Sequence, residues 1–266
     1  EEDLVSKLLN DTFLMRDMLV AGGANSGKYG QAMAIYDQLQ KASKYLSLGS
    51  DERDATAWDD RSQKTILQRV ALATVVALAL PRNYHYKHPG QVDPVARYLD
   101  YEKAYKNGDL DPSFEVLTAF ECRNVVNSDA EESDLAWLRT TMANYRPDDI
   151  AINNSNPVWR YAEAVHGEVA YGQPIWPYTD YTEIPAAGGE CGPRAFFGRF
   201  TREAFGLPTW GVTEPGHAAM STWGPEGWQI LLGAGWDPWT GSPIYAGSTY
   251  GVGNDNPADP HVGLSA

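Results

Sequence analysis

Between Val70 and Leu80 the chain runs for eleven residues without a charged side chain. A helix that crosses a bilayer needs about 20 such residues, so the run is a core segment and not a span. It completes a stretch, residues 61–80, that becomes apolar nearly all round, the mark of a helix enclosed by its neighbours and ended by Pro81. No other run is longer, which predicts a protein with no membrane partner.

Helical patterns surround this segment. Met33, Ile35, Tyr36, Leu39, Ala42, Tyr45 and Leu46 recur at near-helical spacing and predict one amphipathic helix over residues 31–46. Asp93-Pro94 supplies an N-cap and a first-turn proline, and Gly108 a stop after Lys106 and Asn107, so a helix lies between them. Ser128 and Glu131 have the spacing of a capping box ahead of Leu135, Trp137, Leu138 and Met142, with Pro147 as terminator. A further helix is predicted over residues 158–165. Residues 1–150 therefore form a helical N-terminal region, and residues 151–266 a second region or the continuation of one unit.

After about Gly172 the texture changes to Pro, Gly, Tyr and Trp. One more helix is predicted there, residues 193–205, stopped by Gly206-Leu207-Pro208. Residues 217–223 and 228–236 are extended runs joined by Gly224-Pro225-Glu226-Gly227, which predicts an antiparallel hairpin with Trp223 facing Trp228.

Charge narrows the partners. Lys and Arg total 21 against 35 for Asp and Glu, a net charge of −14, which repels nucleic acid and anionic membrane surfaces. Neutral or cationic partners fit better. Two cysteines, Cys122 and Cys191, are too few for a disulfide scaffold. The chain opens at Glu1 without an initiator Met or a hydrophobic leader, as a mature or excised piece does. The sequons at Asn10 and Asn153 hint at secretion, although a pair in 266 residues is near chance.

Chemistry concentrates around Cys191. A thiol attacks carbonyls as thiolate, and a helix N-terminus lowers its pKa through unpaired N–H groups and the positive end of the dipole. Gly188-Gly189-Glu190 leads into Cys191, and Pro193 suits the first turn of the helix that follows. Its base must come from another element, and His217 opens the first run of the predicted hairpin. Trp223, Trp228 and Trp236 cluster in sequence near this pair and are candidate walls for substrate. Cys122 has no histidine motif beside it and is expected to pack in the core.

Cys191, Ala195, Gly206, Leu207, Pro208, Thr209, His217, Gly227 and Trp228 stand in an order that resembles the transglutaminase-like superfamily, a papain-related cysteine–histidine group. The resemblance covers about fifty residues within 186–239. It implies an α+β fold, in which the helical N-terminal region packs on a core of one Cys-bearing helix against an antiparallel sheet. It implies thiol-dependent attack on amide or peptide carbonyls through a thioester, by hydrolysis or acyl transfer, on a protein, peptide or glycopeptide. The alternative is a catalytically silent module that binds protein or glycan. In the family an Asp that orients the histidine closes a Gly-Trp-x-x-x-Asp run, and here Leu232 stands in its place. Asp237 is the nearest carboxylate, with Asn254, Asp255 or a backbone carbonyl as other choices. The oxyanion donor is the Cys191 amide, joined by Gln173 or Trp176.

Other motifs carry less. Residues 22–28 spell G-x-x-x-x-G-K but continue with Tyr29 in place of Ser or Thr, and no strand precedes them, so they form a loop rather than a phosphate cradle. His85 and His88 flank Lys87 without a carboxylate or cysteine at ligand spacing. Neither a metal nor a cofactor is expected.

Overall fold

Caps and breaks written into the chain set the helices. The computed structural model describes residues 2–47, 58–84, 89–141, 191–214, 217–224 and 227–231. The chain divides into two compact units, one of residues 1–84 with 89–132, the other of residues 85–88 with 133–266.

The first unit begins with α1 (Glu2–Asn10) and α2 (Thr12–Val20). Between them Asp11 leaves helical geometry and its carboxylate accepts a hydrogen bond from the Leu14 amide at 2.9 Å, capping α2. α3 (Tyr29–Ala42) and α4 (Lys44–Ser47) replace the single helix predicted over residues 31–46. Ser43 is extended between them, its hydroxyl donating to Glu102 at 2.5 Å and accepting from the Tyr45 amide. A buried carboxylate thus takes the hydroxyl that breaks the helix.

α5 (Trp58–Ala77) is the enclosed helix. Ile66, Leu67, Val70, Ala71, Ala73, Val75 and Val76 are fully buried, and α5 packs against α3, α4, α6 and α7. α6 (Pro94–Asn107) is capped by Asp93, which accepts from the Val95 and Ala96 amides, and ends at Gly108 in the left-handed conformation (φ 72°). α7 (Ala119–Val126) opens on a capping box made by Thr118 and Glu121. α8 (Glu132–Thr141) starts beyond the box predicted at Ser128. Instead the Ser128 hydroxyl accepts from the Ala130 amide, and the turn around it is drawn onto Arg97. That guanidinium is fully buried. It donates to the carbonyls of Val126 (2.8 Å), Ser128 (2.7 Å) and Ala130 (2.5 Å), and to the Glu132 carboxylate (2.9 Å).

In the second unit, α9 (Cys191–Ala204) leads through Gly206 (φ 78°) into three short strands, β1 (Thr209–Glu214), β2 (His217–Gly224) and β3 (Gly227–Leu231). They pair antiparallel in sequence order, with Gly211 opposite Met220, Glu214 opposite His217, and Trp223 opposite Trp228. The Ala204 carbonyl at the end of α9 accepts at 3.1 Å from Arg139 of α8, a helix that from Ser133 onward belongs to this second unit.

The expected α+β fold, with a helical region on an antiparallel-sheet core, is overturned. The described residues are mostly helical, with nine α-helices against three short strands, and no sheet serves as their core. The cause is where apolar volume sits. Among the residues whose burial is described, most buried aliphatic and aromatic side chains belong to helices, whereas the strand sequences TWGVTE, HAAMSTWG and GWQIL are rich in Gly, Ala, Ser and Thr. The helices predicted over 158–165 and up to Pro147 fall partly or wholly outside the described residues.

Candidate functional site

Cys191 is the first residue of α9, and His217 is the first residue of β2. What relates them is the way α9 lies on the strands, against β1 and β2. At its C-terminal end the Arg202 guanidinium donates from Nη2 to the Trp223 carbonyl at 3.0 Å, and the Trp223 amide donates to the Pro208 carbonyl at 3.0 Å. One turn earlier, Arg199 Nη1 would stand 3.5 Å from a side-chain carbon added to Gly211, the partner of Met220. Helix residues 199 and 202 thus approach Gly211 of β1, whose partner is Met220, and Trp223 of β2 in turn, so α9 and β2 run in the same direction.

Geometry then sets the other end. From Arg202 back to Cys191 the helix rises about 16 Å at 1.5 Å per residue. From Trp223 back to His217 the strand covers about 20 Å at 3.3 Å per residue. Cys191 and His217 each begin their element, and both lie on the same side of these contacts along the chain directions.

Trp223 and Trp228 are together at the opposite end. They face each other in register, and Trp228 stacks on Trp210 with ring centroids 5.0 Å apart and planes 26° apart. About 20 Å of strand separates Trp223 from His217. Trp236, Asp237, Leu232, Asn254, Asp255, Gln173 and Trp176 lie outside the described residues, as do His85 and His88.

One residue that sequence patterns did not select stands in register with His217. Glu214 ends β1 directly opposite His217. Its strand has a glycine, a threonine at each of two positions and no regular apolar alternation, so no pattern announced it.

The G-x-x-x-x-G-K loop binds a cation of the protein's own. Gly22 and Gly23 have positive φ (95° and 70°), and their carbonyls accept from Arg123 Nη1 at 3.0 and 3.2 Å, while Asn25 Oδ1 accepts from Nη2. A phosphate cradle presents amides inward; here carbonyls face a guanidinium, and α2 rather than a strand precedes the loop. Cys122 is a free, fully buried thiol that burial pushes up to about 12, so it is inert at neutral pH. No helix among the described residues is long and apolar enough to cross a membrane.

Comparison with protein-family models, curated proteins and solved structures found no match to this chain.

Proposed function

We propose that the protein performs thiol-dependent chemistry on amide carbonyls, with Cys191 as nucleophile and His217 as base. The reading is supported by Cys191 opening α9 and His217 opening β2, two elements that run the same way. The first-turn amides of α9 and its dipole favour the thiolate. His217 takes the thiol proton, the sulfur attacks the carbonyl carbon, and the proton passes to the departing amine. Water or a second amine then resolves the thioester. The order Cys191, Gly206-Leu207-Pro208, His217, Gly227-Trp228, which resembles transglutaminase-like enzymes, supports the same chemistry and a protein, peptide or glycopeptide substrate.

The test is iodoacetamide labelling of the native protein with site-resolved mass spectrometry. Cys191 is expected to react at neutral pH faster than a free thiol, and His217→Gln to slow it by up to about 30-fold, the difference in thiolate fraction between an ionised thiol and a free one of pKa about 8.5. A Cys191 no faster than a free thiol would instead mark a silent module that binds protein or glycan.

A further inference from the structure

A histidine that serves a thiolate works best when its far nitrogen is held, because that bond fixes the tautomer and stabilises the imidazolium. Leu232 follows β3 where a carboxylate would complete the Gly227-Trp228 run, which leaves that task unassigned in sequence. Strand pairing supplies another carboxylate. β1 and β2 pair antiparallel over six positions, from Thr209↔Thr222 to Glu214↔His217, so the last position of β1 is fixed by the five before it. Residues directly opposite in an antiparallel pair carry their Cβ atoms on one face, about 4.5–5.5 Å apart. An opposite charge within about 4–6 Å favours the charged form of a histidine ring.

We propose that Glu214 is the positioning residue for His217, in the role that sequence alone offered to Asp237. The proposal rests on the Cys191–His217 dyad. Glu214 acts on the histidine and through it on the thiol, without touching substrate. An anionic neighbour stabilises imidazolium, and imidazolium stabilises the Cys191 thiolate. Removing the charge therefore raises the pH at which the thiolate forms.

The experiment measures Cys191 alkylation by iodoacetamide against pH in the full chain, read by site-resolved mass spectrometry. Glu214→Gln is expected to move the midpoint of the rate–pH curve up by about 1 unit, the lower end of the effect of a nearby opposite charge. Glu214→Asp should keep most of the native midpoint, and Asp237→Asn should leave it unchanged. A Glu214→Gln curve that coincides with the unaltered protein's, or a shift found in Asp237→Asn instead, overturns Glu214 while leaving the dyad intact. If Cys191 of the unaltered protein reacts no faster than a free thiol, the dyad itself fails and Glu214 falls with it. Thermal unfolding of each variant separates a lost strand from a lost charge: Glu214→Gln that melts with the unaltered protein yet shifts the midpoint supports the proposal, and a midpoint restored in Glu214→Asp repeats that support.

Discussion

Arg202 of α9 donates to the backbone carbonyl of Trp223 on β2 at 3.0 Å, at the end of the strand farthest from His217. The bond fixes the helix against the strand lengthwise, because α9 and β2 run the same way. A slip at this end becomes a slip along the length of α9 and β2.

Replacing Arg202 with Met removes that tie and leaves the Trp223 carbonyl without this donor. A slip in register weakens any support of the Cys191 thiolate by His217, so alkylation of Cys191 should slow by up to about 10-fold. Arg202→Lys, which keeps a cationic donor, should recover part of the loss. Rate constants for Cys191 at fixed pH check this, and equal rates in all three proteins would show that the register is held elsewhere.

The Arg97 fork predicts a stability effect remote from Cys191. Its three carbonyl partners and Glu132 share one buried guanidinium, and no other side chain presents donors in that planar arrangement. Arg97→Met should lower unfolding free energy by roughly 3–5 kcal/mol, as loss of one partner from a buried pair does. Arg97→Lys should be intermediate at best. Urea titration decides, and a change below about 1 kcal/mol would contradict the assigned role.

Gly22 and Gly27 form a controlled pair. Both have positive φ, 95° and 68°, which costs a side-chain-bearing residue about 1–2 kcal/mol. At Gly27 an added Cβ meets nothing within 4 Å, whereas at Gly22 it would lie 2.5 Å from Arg123 Nη1. Gly22→Ala should therefore destabilise more than Gly27→Ala, the excess measuring displacement of Arg123 from the loop carbonyls. Equal losses in urea unfolding would remove Arg123 as the cause.

How much was legible follows the range of each interaction. Asp93, Pro94 and Gly108 act within a turn of themselves, so α6 could be read directly. The break at Ser43 depends on Glu102, 59 residues away, and no local pattern foretells it. Thr118–Glu121 and Ser128–Glu131 share one spacing, yet the box forms at the first and not at the second, where Arg97 gathers the carbonyls into a turn. At the candidate site, Cys191 and His217 announced themselves through residue type and neighbouring glycine and proline. Glu214 did not, because its place opposite His217 exists only once β1 is paired. The α+β expectation failed for a related reason: motif order over about fifty residues says little about where a whole chain puts its apolar volume.

Cys122 gives a prediction with a definite sign. Burial pushes its thiol from 9.0 up to about 12, so the folded protein keeps a proton that the unfolded chain releases near pH 9.0. Below that pH both states are protonated and the thiol has no pH-dependent effect. As pH rises from 9.0 towards about 12 the unfolded state is progressively favoured, and stability falls. Burial beside Glu132 and Glu115 likewise pushes Tyr84 and Tyr105 from 10.0 up to about 12, so their share of the loss begins later. Near pH 9.0 the slope should belong chiefly to Cys122, and above it the loss is shared with Tyr36, Tyr84, Tyr98 and Tyr105, all raised by burial from 10.0. Cys122→Ala should flatten it there and leave the steeper fall above pH 10.0, although the cavity lowers stability at every pH. Urea unfolding at a series of alkaline pH values reads both. The same burial should leave Cys122 unlabelled in the native protein, which assigns native thiol labelling to Cys191 alone; a Cys122 that labels before unfolding would show that the core around α7 opens under native conditions.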